Sequence, residues 1–107
     1  MKEKILAIVN PCSSNGNTGK EWPAFEKMIK EAGLEFESQL TEYPGHATEI
    51  ARHALKNAYE IIVSVGGDGT MNEVLNGFFE NDQPINKNAS LSVFSRGTGC
   101  DFARTMA

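Results

Sequence analysis

The fold of this chain is decided by residues 61–77, which read IIVSVGGDGTMNEVLNG. Residues 61–65 form the unbroken apolar run that is typical of a central parallel strand covered on both faces. The glycines at 66, 67 and 69 allow positive φ angles and remove the Cβ atoms that would keep a ligand off the main chain. Thr70 to Glu73 match a capping box, which predicts that a helix begins there. A glycine turn followed by a helix N-terminus presents backbone N–H groups and a positive dipole end, so the stretch predicts an anion site, most obviously for a nucleotide phosphate.

The rest of the chain alternates strands with helices. Apolar runs predict strands at residues 4–9, 34–41, 61–65 and 91–94, and apolar residues at helical spacing predict helices at 25–32, 47–58 and 71–78. Two starts are open for the first helix: a capping box from Thr18 to Glu21, or Pro23 at the first helical position. Residues 10–19 and 80–89 are predicted to be loops. The alternation implies an α/β fold with a parallel sheet, right-handed crossovers and helices on both faces.

Length and composition exclude several classes of protein. A chain of 107 residues is one domain, and its net charge of -4 without a basic stripe argues against nucleic-acid binding. No apolar run approaches the roughly 20 residues that span a bilayer. The amino terminus lacks the apolar stretch of a signal peptide, so we expect a cytoplasmic protein. Cys12 and Cys100 are too few and too far apart for a disulfide scaffold or a metal cluster, and we expect free thiols.

The unusual loops all follow the carboxyl ends of predicted strands. They are residues 10–16, 41–46, 66–72 and 95–101, and they are rich in glycine, hydroxyl or amide side chains. Ligands of open α/β sheets bind in the crevice beyond the carboxyl ends of the strands. We therefore expect the four loops to converge on one site.

These loops carry a specific resemblance. Residues 66–77 resemble the nucleotide loop of the diacylglycerol kinase catalytic domain, a family that includes bacterial diacylglycerol and related lipid kinases and the sphingosine and ceramide kinases. Asn10-Pro11 resembles the first nucleotide loop of that family, residues 41–52 resemble the second, and residues 97–104 resemble the fourth. The glycine loop alone is also similar to those of NAD kinases and phosphofructokinases, and residues 10–11 and 101–104 favour the lipid kinases. The resemblance implies a three-layer, Rossmann-like domain similar to the amino-terminal domain of NAD kinases and diacylglycerol kinases.

The resemblance also implies an ATP site with Mg²⁺. Asp68 would be repelled by phosphate unless its charge is offset, and it is implied to be the catalytic residue, orienting the loop or acting through the metal; the metal ligands are left unassigned. The implied nucleotide-binding residues are Asn10, Pro11, Cys12, Ser13, Ser14, Thr41, Gly66, Gly67, Asp68, Gly69, Thr70, Met71, Asn72 and Thr98.

The chain departs from the family pattern at three sites, which comprise four residues. Cys100 stands where the family usually has asparagine, Ser95-Arg96 where it has proline and a small or apolar residue, and Ser14 where it often has glycine. Cysteine does not reproduce the donor and acceptor pair of asparagine, so altered hydrogen bonding near Thr98 and altered nucleotide affinity are expected.

The resemblance finally implies a division of labour. In the resembling kinases a β-rich second domain supplies the lipid pocket, the general base and acidic residues for Mg²⁺. We expect this chain to be the nucleotide-binding half of a kinase that transfers the γ-phosphate of ATP to a diacylglycerol-like hydroxyl, and to be inactive alone. An NAD kinase-like fragment and a non-catalytic nucleotide-binding module are the alternatives. The expected partners are ATP, the lipid, a membrane surface touched transiently from the cytoplasm and a second copy of the chain.

Overall fold

A five-stranded sheet with helices on both faces forms the fold. The computed structural model of the chain describes residues 4–95 and 101–106. In chain order the elements are β1 (Ile5–Val9), a 3-10 helix (Ser13–Gly16), α1 (Asn17–Glu31), β2 (Glu37–Leu40), α2 (His46–Lys56), β3 (Ile61–Gly66), α3 (Asp68–Asn76), β4 (Phe79–Glu80), β5 (Gln83–Pro84), β6 (Ser90–Ser95) and β7 (Asp101–Met106). The sheet order is β2-β1-β3-β6-β7. Strands β2, β1, β3 and β6 are parallel, which confirms the predicted α/β fold.

Strand β3 lies at the centre of the sheet, as its apolar sequence predicts. It pairs with β1 on one side and with β6 on the other, and Ile62 and Val65 are buried. Side chains alternate between the two faces: Ile62 packs with the residues of α2 and α3, and Val65 packs with Trp22 of α1. Full burial of such a side chain contributes roughly 1.5–3 kcal/mol. The two cores, one on each face, hold the carboxyl end of β3 in place.

Helices α2 and α3 pack closely on one face of the sheet. Small side chains of α2, including Ala51 and Ala54, are buried against the core. A Cβ at Gly77 would lie 2.6 Å from the carbonyl oxygen of Thr48 and 2.7 Å from the Cβ of Ala51. The guanidinium of Arg52 donates to the carbonyl oxygens of Asn76, at 3.3 Å, and of Phe79, at 3.1 Å. Helix α3 therefore has a fixed position, which matters because its other end follows the glycine turn.

The first helix begins at neither predicted position. Helix α1 starts at Asn17 behind the 3-10 helix, with Gly16 in the left-handed region at φ 87°, and Pro23 lies inside it. Thr18 does not act as a cap, because its buried hydroxyl is hydrogen-bonded to the hydroxyl of Ser13. Residues 10–19 are thus partly helical rather than a loop.

Two further elements were not predicted. Strands β4 and β5 form a small hairpin over residues 79–84, most of which were predicted to be a loop, and its turn residues Asn81 and Asp82 have φ angles of 54° and 63°. Two consecutive positive φ angles are the signature of a type I′ turn. Strand β7 is antiparallel to β6 at the edge of the sheet; the sequence predicted a loop over residues 95–101 and no element after it. Among the helices of the described residues, none has the length and apolar character needed to cross a bilayer.

Candidate functional site

The three glycines at the junction of β3 and α3 have different roles. Gly66 has a φ of 153°, and a Cβ there would lie 2.6 Å from Oγ1 of Thr70 and 3.1 Å from its Cβ. No other residue type fits that position without a shift. Around the Cβ positions of Gly67 and Gly69, by contrast, no atom of the described residues lies within 4 Å. The fold therefore requires one glycine, and the other two keep an exposed stretch of main chain uncovered.

Helix α3 begins earlier than the predicted capping box. Its first residue is Asp68, preceded by an extended Gly67 with φ -97° and ψ -166°, so the predicted start at Thr70 is wrong. The two side chains of the expected box have tertiary partners instead. The Thr70 hydroxyl accepts a hydrogen bond from Nδ2 of Asn10, and the Glu73 carboxylate accepts one from the backbone N–H of Gly45. The early start brings Asp68 into the first turn of the helix.

Asn10 connects the first loop to this helix. Its backbone N–H donates to the Val65 carbonyl at 2.9 Å, and its Nδ2 donates to Thr70 Oγ1 at 3.2 Å. Its Oδ1 accepts from the Cys12 backbone N–H at 3.0 Å, which closes an Asx turn. One amide side chain therefore positions the loop after β1 against the helix that follows the glycine turn.

Glu73 connects the second loop to the same helix. Its Oε1 accepts from the Gly45 N–H at 3.2 Å, and its carbonyl oxygen accepts from the Thr48 hydroxyl at 2.6 Å. At the strand end, the Thr41 N–H donates to the Val9 carbonyl at 2.8 Å. Residues 41–48 are thus held at both ends by elements that are distant in sequence. The sequence interpretation assigned Glu73 to a cap and missed this contact.

A cavity of about 310 Å³ lies where these loops meet. We call it the loop cavity; its walls are Asn10, Cys12, Thr41, Glu42, Tyr43, Pro44, Ala47, Thr70 and Glu73. Three of the four predicted loops therefore come together at the carboxyl ends of β1, β2 and β3. From the fourth, Thr98 and the rest of residues 96–100 lie outside the described residues.

The predicted site residues divide into three groups. Asn10, Cys12, Thr41 and Thr70 line the loop cavity; residues 67–69 form the exposed turn next to Thr70, and Gly66 is buried at the end of β3. Pro11 instead packs against Gly19, whose N–H donates to the Pro11 carbonyl at 3.0 Å.

Of the remaining predicted residues, Ser13 is bound within its own loop, and Met71 and Asn72 lie further along α3. The Ser13 hydroxyl donates to the Asn10 carbonyl at 3.0 Å, and Ser14 lies beside it in the 3-10 helix. Met71 packs on the core beneath α3, and Asn72 is exposed on that helix. Cys12 is a free, exposed thiol, as expected.

Tyr43 is a wall residue that the sequence interpretation missed. Its ring stacks on the His46 imidazole with a centroid distance of 4.3 Å and an interplanar angle of 16°. Its hydroxyl donates to Oε2 of Glu49 at 2.9 Å. This hydrogen bond to a carboxylate favours the neutral phenol and holds the pKa of Tyr43 above its ordinary value of 10.0. An aromatic residue in a polar loop after an edge strand was the signal that could have found it.

The charges of the site are sparse. Asp68 is exposed in the first turn of α3, where the helix dipole favours a carboxylate. Across residues 4–95 and the other described positions, no group of three or more histidine, cysteine, aspartate or glutamate side chains could hold a metal ion. The described protein atoms therefore do not form a metal centre by themselves.

A larger hollow of about 550 Å³ runs along β2 and α2, and we call it the β2–α2 hollow. Its walls include Lys4, Glu37, His46, His53 and Tyr59. None of the residues predicted for the site lines it. Although it is larger, its mixed charges are not arranged around an exposed main-chain turn, so the loop cavity is the better candidate site.

The family of the chain follows from comparison with known proteins. Residues 4–107 match the diacylglycerol kinase catalytic domain, and the chain belongs to that family. Similar curated proteins include the diacylglycerol kinases of Staphylococcus haemolyticus (strain JCSC1435), 38% identical over 106 residues, and of Staphylococcus aureus (strain MRSA252), 34% identical over 106 residues. The alignments cover 99% of this chain but 31% and 32% of those proteins.

A solved structure agrees with this assignment. The crystal structure of a diacylglycerol kinase from Bacillus anthracis str. Sterne superimposes with a TM-score of 0.69 at 26% identity, covering 92% of this chain and 35% of that one. The predicted resemblance and fold class are therefore confirmed. The chain spans about a third of the length of the relatives that it matches.

Proposed function

We propose that this chain binds ATP as the nucleotide-binding part of a lipid kinase whose acceptor is the hydroxyl of a diacylglycerol-like lipid. The similarity to diacylglycerol kinases supports the reaction class. The observation that carries ATP binding is the exposed start of α3 beside the loop cavity, where the Cβ positions of Gly67 and Gly69 are open.

The start of α3 suits the phosphates of the nucleotide. The first N–H groups of a helix have no partner within the helix, and they lie at the positive end of its dipole. With glycine at 67 and 69, a phosphate oxygen can reach these N–H groups without meeting a side chain. Thr70 Oγ1 accepts from Asn10, so the hydroxyl proton of Thr70 can be donated to a phosphate oxygen. The loop cavity then takes the nucleoside, since about 310 Å³ lies at the small end of ligand-pocket volumes, roughly 300–1,000 Å³.

Asp68 bears a charge of the same sign as the phosphates. It therefore orients the turn, or faces a cation that arrives with the nucleotide as the Mg²⁺ complex of ATP. Because the described residues contain no set of metal ligands, we derive no step through a metal bound to the protein.

Phosphoryl transfer belongs, in this proposal, to the whole protein. Transfer requires positioning and charge stabilisation of the phosphoryl group, and a group that accepts the proton of the attacking hydroxyl. We assign the lipid pocket and that base to a β-rich part of the protein outside residues 1–107. The present chain spans about a third of the length of its relatives. The 107-residue chain is then expected to bind ATP without turnover.

Calorimetry with the Mg²⁺ complex of ATP tests the binding proposal. The folded chain should bind, Gly69→Val should lose most of the affinity, and Asn76→Ala, at the exposed far end of α3, should bind as the unmodified chain does. A folded chain that takes up no ATP contradicts the proposal. For the whole protein, incubation with radiolabelled ATP and either diacylglycerol or NAD then identifies which of the two compounds accepts the phosphate. Transfer to NAD would replace the lipid assignment, whereas transfer by this chain alone would contradict only the division of labour.

A further inference from the structure

The ring of Tyr43 is held in place on one side. The His46 imidazole stacks against it at 4.3 Å, and His46 is itself fixed because its Nδ1 accepts a hydrogen bond from the Glu42 backbone N–H at 2.9 Å. The Tyr43 hydroxyl is tied to Glu49 at 2.9 Å. Each contact lies within residues 42–49, which Glu73 connects to α3. The orientation of the ring is therefore set before any ligand arrives.

The other side of the ring belongs to the loop cavity. Tyr43 lines that cavity and His46 does not, whereas His46 lines the β2–α2 hollow and Tyr43 does not. The stacked pair thus separates the two spaces. Tyr43 remains 49% exposed although the imidazole covers one face, so the exposed part includes the opposite face. A flat, oriented aromatic surface is available next to Pro44 and Ala47, two apolar wall residues.

We propose that Tyr43 is the platform on which the base of the bound nucleotide stacks. This inference rests on the proposed function, because it assigns the nucleoside to the loop cavity and the phosphates to the start of α3. Every base offers a π-face, and stacking on an aromatic side chain tolerates different bases. The platform therefore contributes affinity for nucleotides in general, and little discrimination between adenine and guanine.

The arrangement also limits the entropy lost on binding. A side chain that is already ordered gives up less conformational freedom when a ligand is seated on it. The phenol proton is already donated to Glu49, so the hydroxyl has no donor left for a ligand and the face of the ring is the larger surface that can contact one.

Calorimetric titrations of the full chain test the platform. Tyr43→Ala should weaken ATP and ADP binding by the same factor, on the order of ten-fold, and should leave the affinity for tripolyphosphate, which has no base, within about two-fold. Tyr43→Phe keeps the ring and should bind ATP nearly as the unmodified chain does. Tyr59→Phe alters the other tyrosine, which is bonded to Glu37 away from the loop cavity, and is the matched control.

The outcomes separate this inference from the proposed function. An unmodified chain that binds neither ATP nor tripolyphosphate overturns both. Equal losses of ATP and tripolyphosphate in Tyr43→Ala show a structural role and overturn the platform alone, as does unchanged ATP affinity. The single tryptophan, Trp22, is buried in the core and reports by its fluorescence whether each variant is folded.

A second measurement is needed if tripolyphosphate binds too weakly to be titrated, or if the Tyr43→Ala variant does not fold. In the unmodified chain with labelled tyrosines, nuclear Overhauser contacts should join the base protons of ATP to the Tyr43 ring, and Tyr59→Phe makes that assignment unambiguous. Bound ATP without such contacts overturns the inference.

Discussion

Replacing Gly69 by alanine should change stability and nucleotide binding in opposite directions. Gly69 lies in the first turn of α3, and the Cβ of an alanine there would meet no atom of the described residues within 4 Å. Alanine is favoured over glycine in a helix by up to about 1 kcal/mol, and we expect about half of that in the first turn. The variant should therefore be slightly more stable than the parent.

The expected shift of the melting temperature follows from the length of the chain. An unfolding entropy of about 2.1 cal/mol/K per residue amounts to about 0.22 kcal/mol/K over 107 residues. A gain of about 0.5 kcal/mol then raises the midpoint by about 2 °C. Binding should fall because the same methyl group stands where a phosphate would meet the main chain. Loss of one hydrogen bond to a charged group costs roughly 1.5–3 kcal/mol, or about 10- to 150-fold in affinity.

Thermal unfolding followed by circular dichroism and calorimetry with the Mg²⁺ complex of ATP measure the two effects on one sample. Asn76→Ala is the control, since it also places alanine in α3 but at the end remote from the glycine turn. It should keep full affinity. Undiminished ATP affinity in a folded Gly69→Ala chain would refute the reasoning, because the main chain at 69 would then not be a phosphate contact. A lower melting temperature of Gly69→Ala would show that the space around position 69 is not open.

Three other predictions concern the same loops. Gly66→Ala should destabilise the chain by about 2–4 kcal/mol in urea unfolding, because its φ of 153° suits only glycine and its Cβ would overlap Thr70. The Mg²⁺ complex of ATP should slow alkylation of Cys12, the exposed thiol of the loop cavity, as followed by peptide mass mapping. Tyr43 and Tyr59 should titrate at 295 nm at higher pH in the folded chain than in urea, because hydrogen bonds to Glu carboxylates raise the pKa of both above 10.0. A raised folded-state pKa means that this stabilisation is present below pH 10 and is lost as the pH rises through the folded value.

Controls accompany each of these measurements. The double variant Gly66→Ala/Thr70→Ala should lose less stability than the sum of the single variants, and strict additivity would show that the overlap with Thr70 is not the cause. Magnesium chloride without ATP should leave the alkylation rate of Cys12 unchanged, and equal protection by it would contradict the assignment. Coincident tyrosine titrations in the folded and unfolded chain would show that the hydrogen bonds to the carboxylates do not persist in solution.

The elements that could be predicted are those defined by local pattern. Strand β3 and helix α2 carry dense apolar residues at the right spacing, and their bounds agree closely with the expectation. The starts of α1 and α3 could not be predicted, because the side chains that resemble caps are bound elsewhere. Thr70 pairs with Asn10, 60 residues away, and Glu73 pairs with Gly45, 28 residues away. Such contacts exist only after the sheet has assembled.

The candidate site was predictable to a similar extent. Loops meet beyond the carboxyl ends of parallel strands. This rule correctly identified the three loops that form the loop cavity. It did not identify which side chains turn inward, so Pro11 and Met71 were expected at the site although they pack elsewhere. Tyr43 was missed because its presence in the loop gives no orientation, and the side of the ring that faces the cavity is set by stacking with His46 in the folded loop.

The contact between Glu73 and Gly45 has a consequence for protein engineering. The glycine turn is not a portable module, because the loop that forms the opposite wall is attached to the helix that follows the turn. Grafting residues 66–72 onto another parallel sheet would transfer the anion-binding main chain without the wall that contains Tyr43. A graft that keeps the turn and this wall together needs at least the continuous segment 41–77, in which α2 and β3 join the two loops, and it still lacks the third loop, which follows β1 and contains Asn10. Recombination within that segment would separate two halves of one pocket.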